Sequence, residues 1–460
     1  MLFQSCEFLL FFAIVLICRQ LLPKKHERLI LLIASYVFYS WWSLKFVFLI
    51  VATTFIDFYA GKFIHKYKKE NTKRKLFLTV SIFINLGLLF FFKYWCWINE
   101  LFGNSLGYTF VLPLGISFYT FQSMSYTLDV YFKKIKPEKS LIAFASFVSF
   151  FPQLVAGPIN RAGELLSQLD RGPRYIKSFV ISGISIFTWG AVKKVIFADN
   201  LALYVNEVYE IAAYRQSLDL LLASYAFAFQ IYCDFSGYTD MARGIARLMG
   251  YELSMNFNSP YLAKNIRDFW SRWHISLSTW FRDYVYIPLG GNRRGEIITS
   301  RNILITMFIA GIWHGANLTF LIWGLFHGLL IVIFHFLSKR NLKKTDLVTN
   351  KENKLVDFFK ILFTFNLVVL GWIFFRAQSI TEALEVIKGI ARFDFSGIEW
   401  NSAFPWLMIF PILFLLESKQ KLKDYFAKRV LLNWILIWIG IFSVIIFGAT
   451  KATDFIYFQF

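Results

Sequence analysis

The sequence predicts an all-α, polytopic membrane protein, and three observations carry that prediction. Hydrophobic residues fill 57% of the 460 positions and charged residues only 17%, against about 45–50% and 25% in an average soluble domain. Apolar runs long enough to cross about 30 Å of hydrocarbon as helices recur along the whole chain. Basic residues gather in alternate loops between those runs, the asymmetry that marks cytoplasmic loops. A soluble fold of this length has too little interior to hide so much apolar surface. The same composition, 20% aromatic, excludes a disordered, fibrous or nucleic-acid-binding chain in spite of a net charge of +20.

Taken in order, the spans fall near residues 5–22, 28–42, 44–64, 76–95, 111–131, 177–197, 217–237, 302–318, 319–337, 357–376, 403–417 and 431–450. The first has an acidic flank at Glu7 and no small-residue cleavage site, so it reads as a retained span rather than a signal peptide. Residues 141–158 are apolar but broken by Pro152, Gly157 and Pro158. That pattern suits a re-entrant segment, whose irregular backbone must be buried in protein or line a cavity. The expectation is one integral-membrane domain over 1–460 with about 11–13 transmembrane or re-entrant helices.

Loop charges orient these spans. Lys24, Lys25 and Arg28 fall in the first loop, Lys66, Lys68, Lys69, Lys73, Arg74 and Lys75 in the third, and Lys133, Lys134, Lys136 and Lys139 in the fifth. Lys339, Arg340, Lys343 and Lys344 share that parity, while loops 99–108 and 199–219 are neutral or acidic. Both termini are therefore expected outside the cytoplasm, and anionic headgroups account for nearly all the basic clusters. Residues 238–300 form a cytoplasmic or re-entrant amphipathic insert, rich in Arg, Asp, Trp and Gly and with no span of its own. Loops this long are functional or disordered, and the Trp and Phe density argues against disorder. The chain shows no internal repeat, which counts against an inverted-repeat transporter.

Cys6, Cys18, Cys96 and Cys233 are widely spaced and read as buried small hydrophobes, not as a disulfide framework. Cys233, beside Asp234, is also a candidate acyl-accepting thiol, although apolar burial would raise its pKa and blunt it.

Six histidines occur, and four of them lie between His274 and His335. His314 stands in Gly311-Ile-Trp-His-Gly315 inside a predicted span. For a helix starting near Asn302, it lies roughly 18 Å along the axis at 1.5 Å per residue, well into the bilayer. An ionisable side chain at that depth marks a functional site, or else a neutral core imidazole bonded to a neighbouring helix. Gly311 and Gly315 beside it permit close approach of a backbone or a ligand. His274 lies within the insert, while His327 and His335 read as packing residues. No pair has the i, i+3 or i, i+4 spacing of a helical metal site and no zinc-protease glutamate accompanies them, so no metal is expected.

Asp234 and Asp240 lie near the expected end of a span, where they could relay protons or pair with Arg243 and Arg247, which follow at helical spacing. Arg272, Arg282, Arg293 and Arg294 run along the insert, the last two in a glycine-rich turn. Guanidinium groups on exposed backbone suit a phosphate-bearing cofactor arriving from the cytoplasm, or an interfacial Trp/Arg belt.

Several motifs together carry a resemblance. Phe235-Ser-Gly-Tyr-Thr-Asp-Met-Ala-Arg243, Arg267-Asp-Phe-Trp-Ser-Arg-Trp-His-Ile-Ser-Leu-Ser278, Tyr286-Ile-Pro-Leu-Gly-Gly-Asn292 and Trp313-His-Gly315 are similar to motifs of the membrane-bound O-acyltransferase family. Pro113-Leu-Gly-Ile-Ser-Phe-Tyr-Thr-Phe-Gln122 and Phe151-Pro-Gln-Leu-Val-Ala-Gly-Pro-Ile159 also match, and the branch it resembles is that of the bacterial alginate and peptidoglycan O-acetylation proteins. The resemblance implies helices around a central funnel in the bacterial cytoplasmic (inner) membrane. It implies acyl transfer from a cytoplasmic thioester, held by coenzyme A or a carrier protein and with acetyl-CoA the expected donor, to an acceptor reached from the other side. His314 matches the family's invariant histidine and is expected to act as general base or proton shuttle; His274, at its second active-site position, would hold the thioester or the oxyanion.

The chain ends Phe455-Ile-Tyr-Phe-Gln-Phe460. These aromatics suit an interfacial anchor. By resemblance, Tyr457 is instead an acyl relay that accepts the acetyl group and passes it to a serine-type extracytoplasmic transferase. A built-in tail favours acetylation over D-alanyl transfer to teichoic acid, and the lack of long extra elements favours peptidoglycan over alginate. A secondary transporter or flippase would explain the spans and His314, but neither the insert nor the tail.

Overall fold

The computed structural model describes residues 1–102, 110–174, 176–342, 353–394, 404–419, 429–449, 453 and 455–456. Among the described residues there is no strand; every regular element is helical. Eight helices there are long and apolar enough to cross a membrane: Leu44–Lys66, Asn71–Trp95, Lys177–Glu210, Ser217–Leu248, Glu296–His314, Leu318–Ser338, Lys354–Arg376 and Val430–Phe447. Four other expected spans form shorter helices. Cys6–Leu21, Glu27–Ser40, Ile116–Tyr131 and Phe404–Ser418 hold 16, 14, 16 and 15 residues, or about 21–24 Å of axis at 1.5 Å per residue. Local chemistry sets their ends. Pro23 follows the first, and Gly115 opens the third in the left-handed region at φ 73°.

Leu141–Ser149 stops after nine residues, just before Pro152. The irregular backbone that follows is buried, so its polar groups need partners. Phe151 N–H donates to Ser35 Oγ at 3.1 Å, and the Gln122 and Gln153 amides both donate to the Phe147 carbonyl, at 2.6 and 3.0 Å. Two amphipathic helices were not anticipated, Ala162–Arg171 and Ile380–Ala391. Each carries a sequence signature: buried Ala162, Leu165, Leu166 and Leu169 repeat at helical spacing, and the Ser379 hydroxyl caps Glu382 N–H at 3.1 Å.

The insert begins later than expected. Ser217–Leu248 continues through position 238, because 238–248 is rich in helix formers until Gly250 turns the chain at φ 84°. Short helices Ile266–Arg272 and Ile275–Phe281 and a π-helical turn Arg282–Tyr286 then lead towards Glu296.

The chain divides into two compact units, 1–191 with 237–254, and 192–236 with 255–460. In the first, Phe3, Phe8, Phe11, Phe38 and Phe151 form an aromatic core, with Phe3–Phe8 at 4.9 Å and Phe11–Phe151 at 5.4 Å between centroids. Several of its charges pair within the unit. Arg19 Nε donates to Glu27 at 2.8 Å, and Asp57 accepts from Ser81 at 2.5 Å, from Asn85 at 2.9 Å and from the Ser123 hydroxyl. Asp240 pairs with Arg243 at 3.2 Å, as its spacing predicts, and Arg247 pairs with Glu252 at 2.8 Å. The second unit holds both candidate histidines.

Candidate active site

His314 is the last residue of Glu296–His314, with Gly315 as cap. It therefore lies roughly 27 Å from the start of the helix by rise rather than about 18 Å, because the helix begins before the expected Asn302. A hairpin holds it there. A Cβ on Gly311 would meet the Phe320 carbonyl oxygen at 2.4 Å, and one on Gly324 the Met307 carbonyl oxygen at 2.4 Å, so the paired helix Leu318–Leu342 packs backbone to backbone. The glycine beside His314 serves helix packing. The imidazole, 4% exposed, is enclosed by Trp323 at 4.9 Å, Trp313 at 5.0 Å and Phe375 at 5.1 Å.

His274 links Ile266–Arg272 to Ile275–Phe281 and holds φ at 42°, in the left-handed region. A non-glycine residue there costs about 1–3 kcal/mol and persists only where its surroundings impose it. Asn256 imposes it: its carbonyl accepts from Ile275 N–H at 2.9 Å and its Oδ1 from Ser276 N–H at 3.2 Å. The His274 ring is buried, with Phe235 edge-on at 4.6 Å and Trp313 at 6.3 Å. Burial pushes this imidazole down to about 3, so it is neutral at pH 7, with one N–H to donate. Trp313 therefore touches both histidines, which the sequence separates by a whole helix.

His327 is fully buried against Trp323 at 5.1 Å and Trp270 at 5.3 Å, and neither ring nitrogen has a hydrogen-bond partner among the described residues. His335 does more than pack, since Arg267 reaches its Nδ1 at 3.3 Å. The four candidate arginines are not alike. Arg272 is tied to Asp268 at 2.7 Å and Arg282 to Asp283 at 2.8 Å, each within its own segment. Arg293 and Arg294 are exposed in the turn before Gly295, available to an arriving anion.

Asp234 departs from its expected position and partner. It lies near the middle of Ser217–Leu248 and pairs at 2.8 Å with Lys194, not with Arg243 or Arg247. Lys194 also meets Asp199 at 2.8 Å, and its neighbour Lys193 meets Glu417 at 3.2 Å. Sequence reading missed both lysines, although two adjacent charges inside the apolar run 177–197 are themselves a signal. They stand on π-helical turns, Val192–Ala198, a distortion frequent at functional sites. Of the thiols, only Cys233 is fully buried among those described; Cys18 is partly exposed and Cys6, opening its helix on an outward face, is exposed. The side chain of Cys96 lies outside the described residues.

The end of the chain reaches this region. Phe455 packs on Phe235 at 5.9 Å, the ring that borders His274, and Ile456 N–H donates to Asp234 at 2.7 Å. Phe455 and Ile456 are 2% and 4% exposed. Tyr457, the expected relay, lies outside the described residues.

The chain is 38% identical over 403 residues to the probable alginate O-acetylase AlgI of Pseudomonas aeruginosa, covering 85% of this chain and 75% of that protein. It is 37% identical over 395 residues to the peptidoglycan O-acetyltransferase of Helicobacter pylori, covering 79% and 73%. With the teichoic acid D-alanyltransferase of Bacillus subtilis it shares 28% over 299 residues, covering 63% and 75%. The model of the membrane-bound O-acyltransferase family matches residues 29–376, both histidines included. Its apolar helices and this match agree: the chain belongs to the membrane-bound O-acyltransferase family and is a multi-pass enzyme of the bacterial inner membrane.

Proposed function

We propose that this enzyme moves an acetyl group from a cytoplasmic thioester to an extracytoplasmic transferase that O-acetylates a cell-envelope polysaccharide, with peptidoglycan as the polymer. The donor is acetyl-CoA or an acetylated carrier phosphopantetheine. One observation carries the reading: Trp313 touches both His274 and His314, and the C-terminal tail packs on the ring that borders His274.

In the first step the Tyr457 hydroxyl attacks the thioester carbonyl while His314 takes its proton. A neutral His274 donates N–H to the oxyanion as the tetrahedral intermediate forms. The C–S bond breaks, and the proton returns from His314 to the departing thiolate. A serine hydroxyl of the partner transferase then attacks the tyrosyl ester, and the Tyr457 phenol leaves with a proton. Covalent relay divides one long transfer into two shorter ones. Exposed Arg293 and Arg294 would hold the donor's phosphate groups.

Purified protein given radiolabelled acetyl-CoA is expected to release free thiol and become labelled. His314→Ala should abolish both signals while leaving the protein folded, and Tyr457→Phe should abolish the label. Full label on Tyr457→Phe would end the relay, and normal turnover of His314→Ala would end the base. Alginate is favoured as a second polymer by the relative named for it, at 38% identity. Acetylated muropeptides, or acetylated uronate polymer in their place, in cells expressing the chain decide between the two.

A further inference from the structure

Three buried charges have no part in the chemistry above, and all three touch the tail. Lys194 sits between Asp199 and Asp234, 2.8 Å from each, with side chains only 2–4% exposed. Two carboxylates against one ammonium leave a formal negative charge buried, which needs further hydrogen-bond donors. The chain's own end supplies them. Ile456 N–H donates to Asp234 Oδ2 at 2.7 Å, and the Thr453 hydroxyl donates to Asp199 Oδ1 at 2.6 Å. Lys194 Nζ in turn donates to the Thr453 carbonyl at 3.1 Å. Nearer the last helix, Ala449 N–H donates to the Val195 carbonyl at 3.2 Å, and Asn200 Nδ2 to the Phe447 carbonyl at 3.2 Å. Lys194 and Val195 both belong to the π-helical turns Val192–Ala198, whose widened ladder leaves a carbonyl free to accept from another segment.

We infer that Lys194, Asp199 and Asp234 form a receptor for the C-terminal segment, and that they act as positioning residues for acyl transfer. The segment is held at positions 449, 453 and 456, immediately before Tyr457. A membrane-interface anchor would show its apolar side chains to lipid, whereas Phe455 and Ile456 are 2% and 4% exposed. The receptor stands on contacts already described; its purpose rests on the reading of Tyr457 as the acyl carrier.

Thr453→Val removes the hydroxyl at nearly constant shape, Thr453→Ser keeps it, and Asp234→Asn alters the receptor itself. Two readouts are made on the full chain in detergent: trimming by a carboxypeptidase followed by intact mass, and acetyl-transfer kinetics. Trimming of the parent and of Thr453→Ser should stall at Ile456. Thr453→Val and Asp234→Asn should be trimmed past Thr453 about tenfold faster, with kcat down about tenfold and KM for acetyl-CoA unchanged, as expected for losing a hydrogen bond to a charged group. Should Asp234→Asn fail to fold, the contrast between Val and Ser at Thr453 decides alone. Equal trimming of all variants overturns the receptor. Full transfer by Tyr457→Phe with the trimming contrast intact removes the relay and keeps the receptor; the reverse pattern keeps the relay and removes the receptor.

Discussion

Gly371 lies so close to the ring of His327 that a Cβ on it would come within 2.7 Å of Nε2. The ring has little room to yield, because Trp270 and Trp323 stand against it at 5.3 and 5.1 Å. Trp323 also packs on His314 at 4.9 Å, so a disturbance at Gly371 has a route to the candidate base.

Gly371→Ala is therefore expected to overpack this cage and cost about 1–3 kcal/mol. Thermal unfolding in detergent reads the loss, and acetyl transfer should fall with it. An unchanged unfolding midpoint would mean that the ring moves aside freely.

Acid should destabilise the protein through His274. Its imidazole titrates at about 3 when buried, against 6.5 ordinarily. Between those values the unfolded chain binds a proton that the folded one does not. Stability is therefore greatest above about 6.5 and declines as pH falls towards 3, by up to about tenfold in the folding equilibrium per pH unit. His274→Asn removes this contribution, so it should lose less stability than the parent between pH 7 and pH 5. Equal losses in denaturant titrations at the two pH values would contradict a neutral His274.

The arginines of the insert should separate by function. Alanine at both Arg293 and Arg294 is expected to raise KM for acetyl-CoA about tenfold with kcat unchanged, more strongly at low salt. Arg272→Ala should leave KM alone, since that guanidinium is tied to Asp268 at 2.7 Å, and should cost about 0–1 kcal/mol. A KM shift in Arg272→Ala but not in the double variant would reverse the assignment.

The pair of buried Lys193 and part-buried Glu417, 3.2 Å apart, offers a double-mutant cycle. Lys193→Met strands a carboxylate in the interior and is expected to cost about 3–5 kcal/mol. Adding Glu417→Gln should restore part of that loss. Additive losses would show that the two side chains are energetically independent.

The helices were legible because burial in lipid demands long apolar runs, and composition alone exposes them. His314 stood out because ionisable groups are rare in such runs, and both His314 and His274 because their motifs match a known family. The same logic failed for Lys193 and Lys194: their runs were counted as spans, and Lys193 finds Glu417 only across 224 residues of sequence. The pairing of Asp234 with Lys194 was hidden for the same reason, since sequence spacing offers Arg243 and Arg247 as neighbours on one helix and shows nothing of partners on another. The left-handed backbone of His274 was equally hidden, because Asn256 imposes it through contacts that no local pattern encodes. Family membership settles enzyme against transporter, which hydropathy alone left open.

A π-helical turn is an α-helix with one surplus residue. Removing one residue between Val195 and Ala198 would restore ordinary winding and swing Asp199 about 100° relative to Lys194. The ladder would improve and the tail would lose its berth. One surplus residue thus sets the register in which Lys194 and Asp199 together meet Thr453.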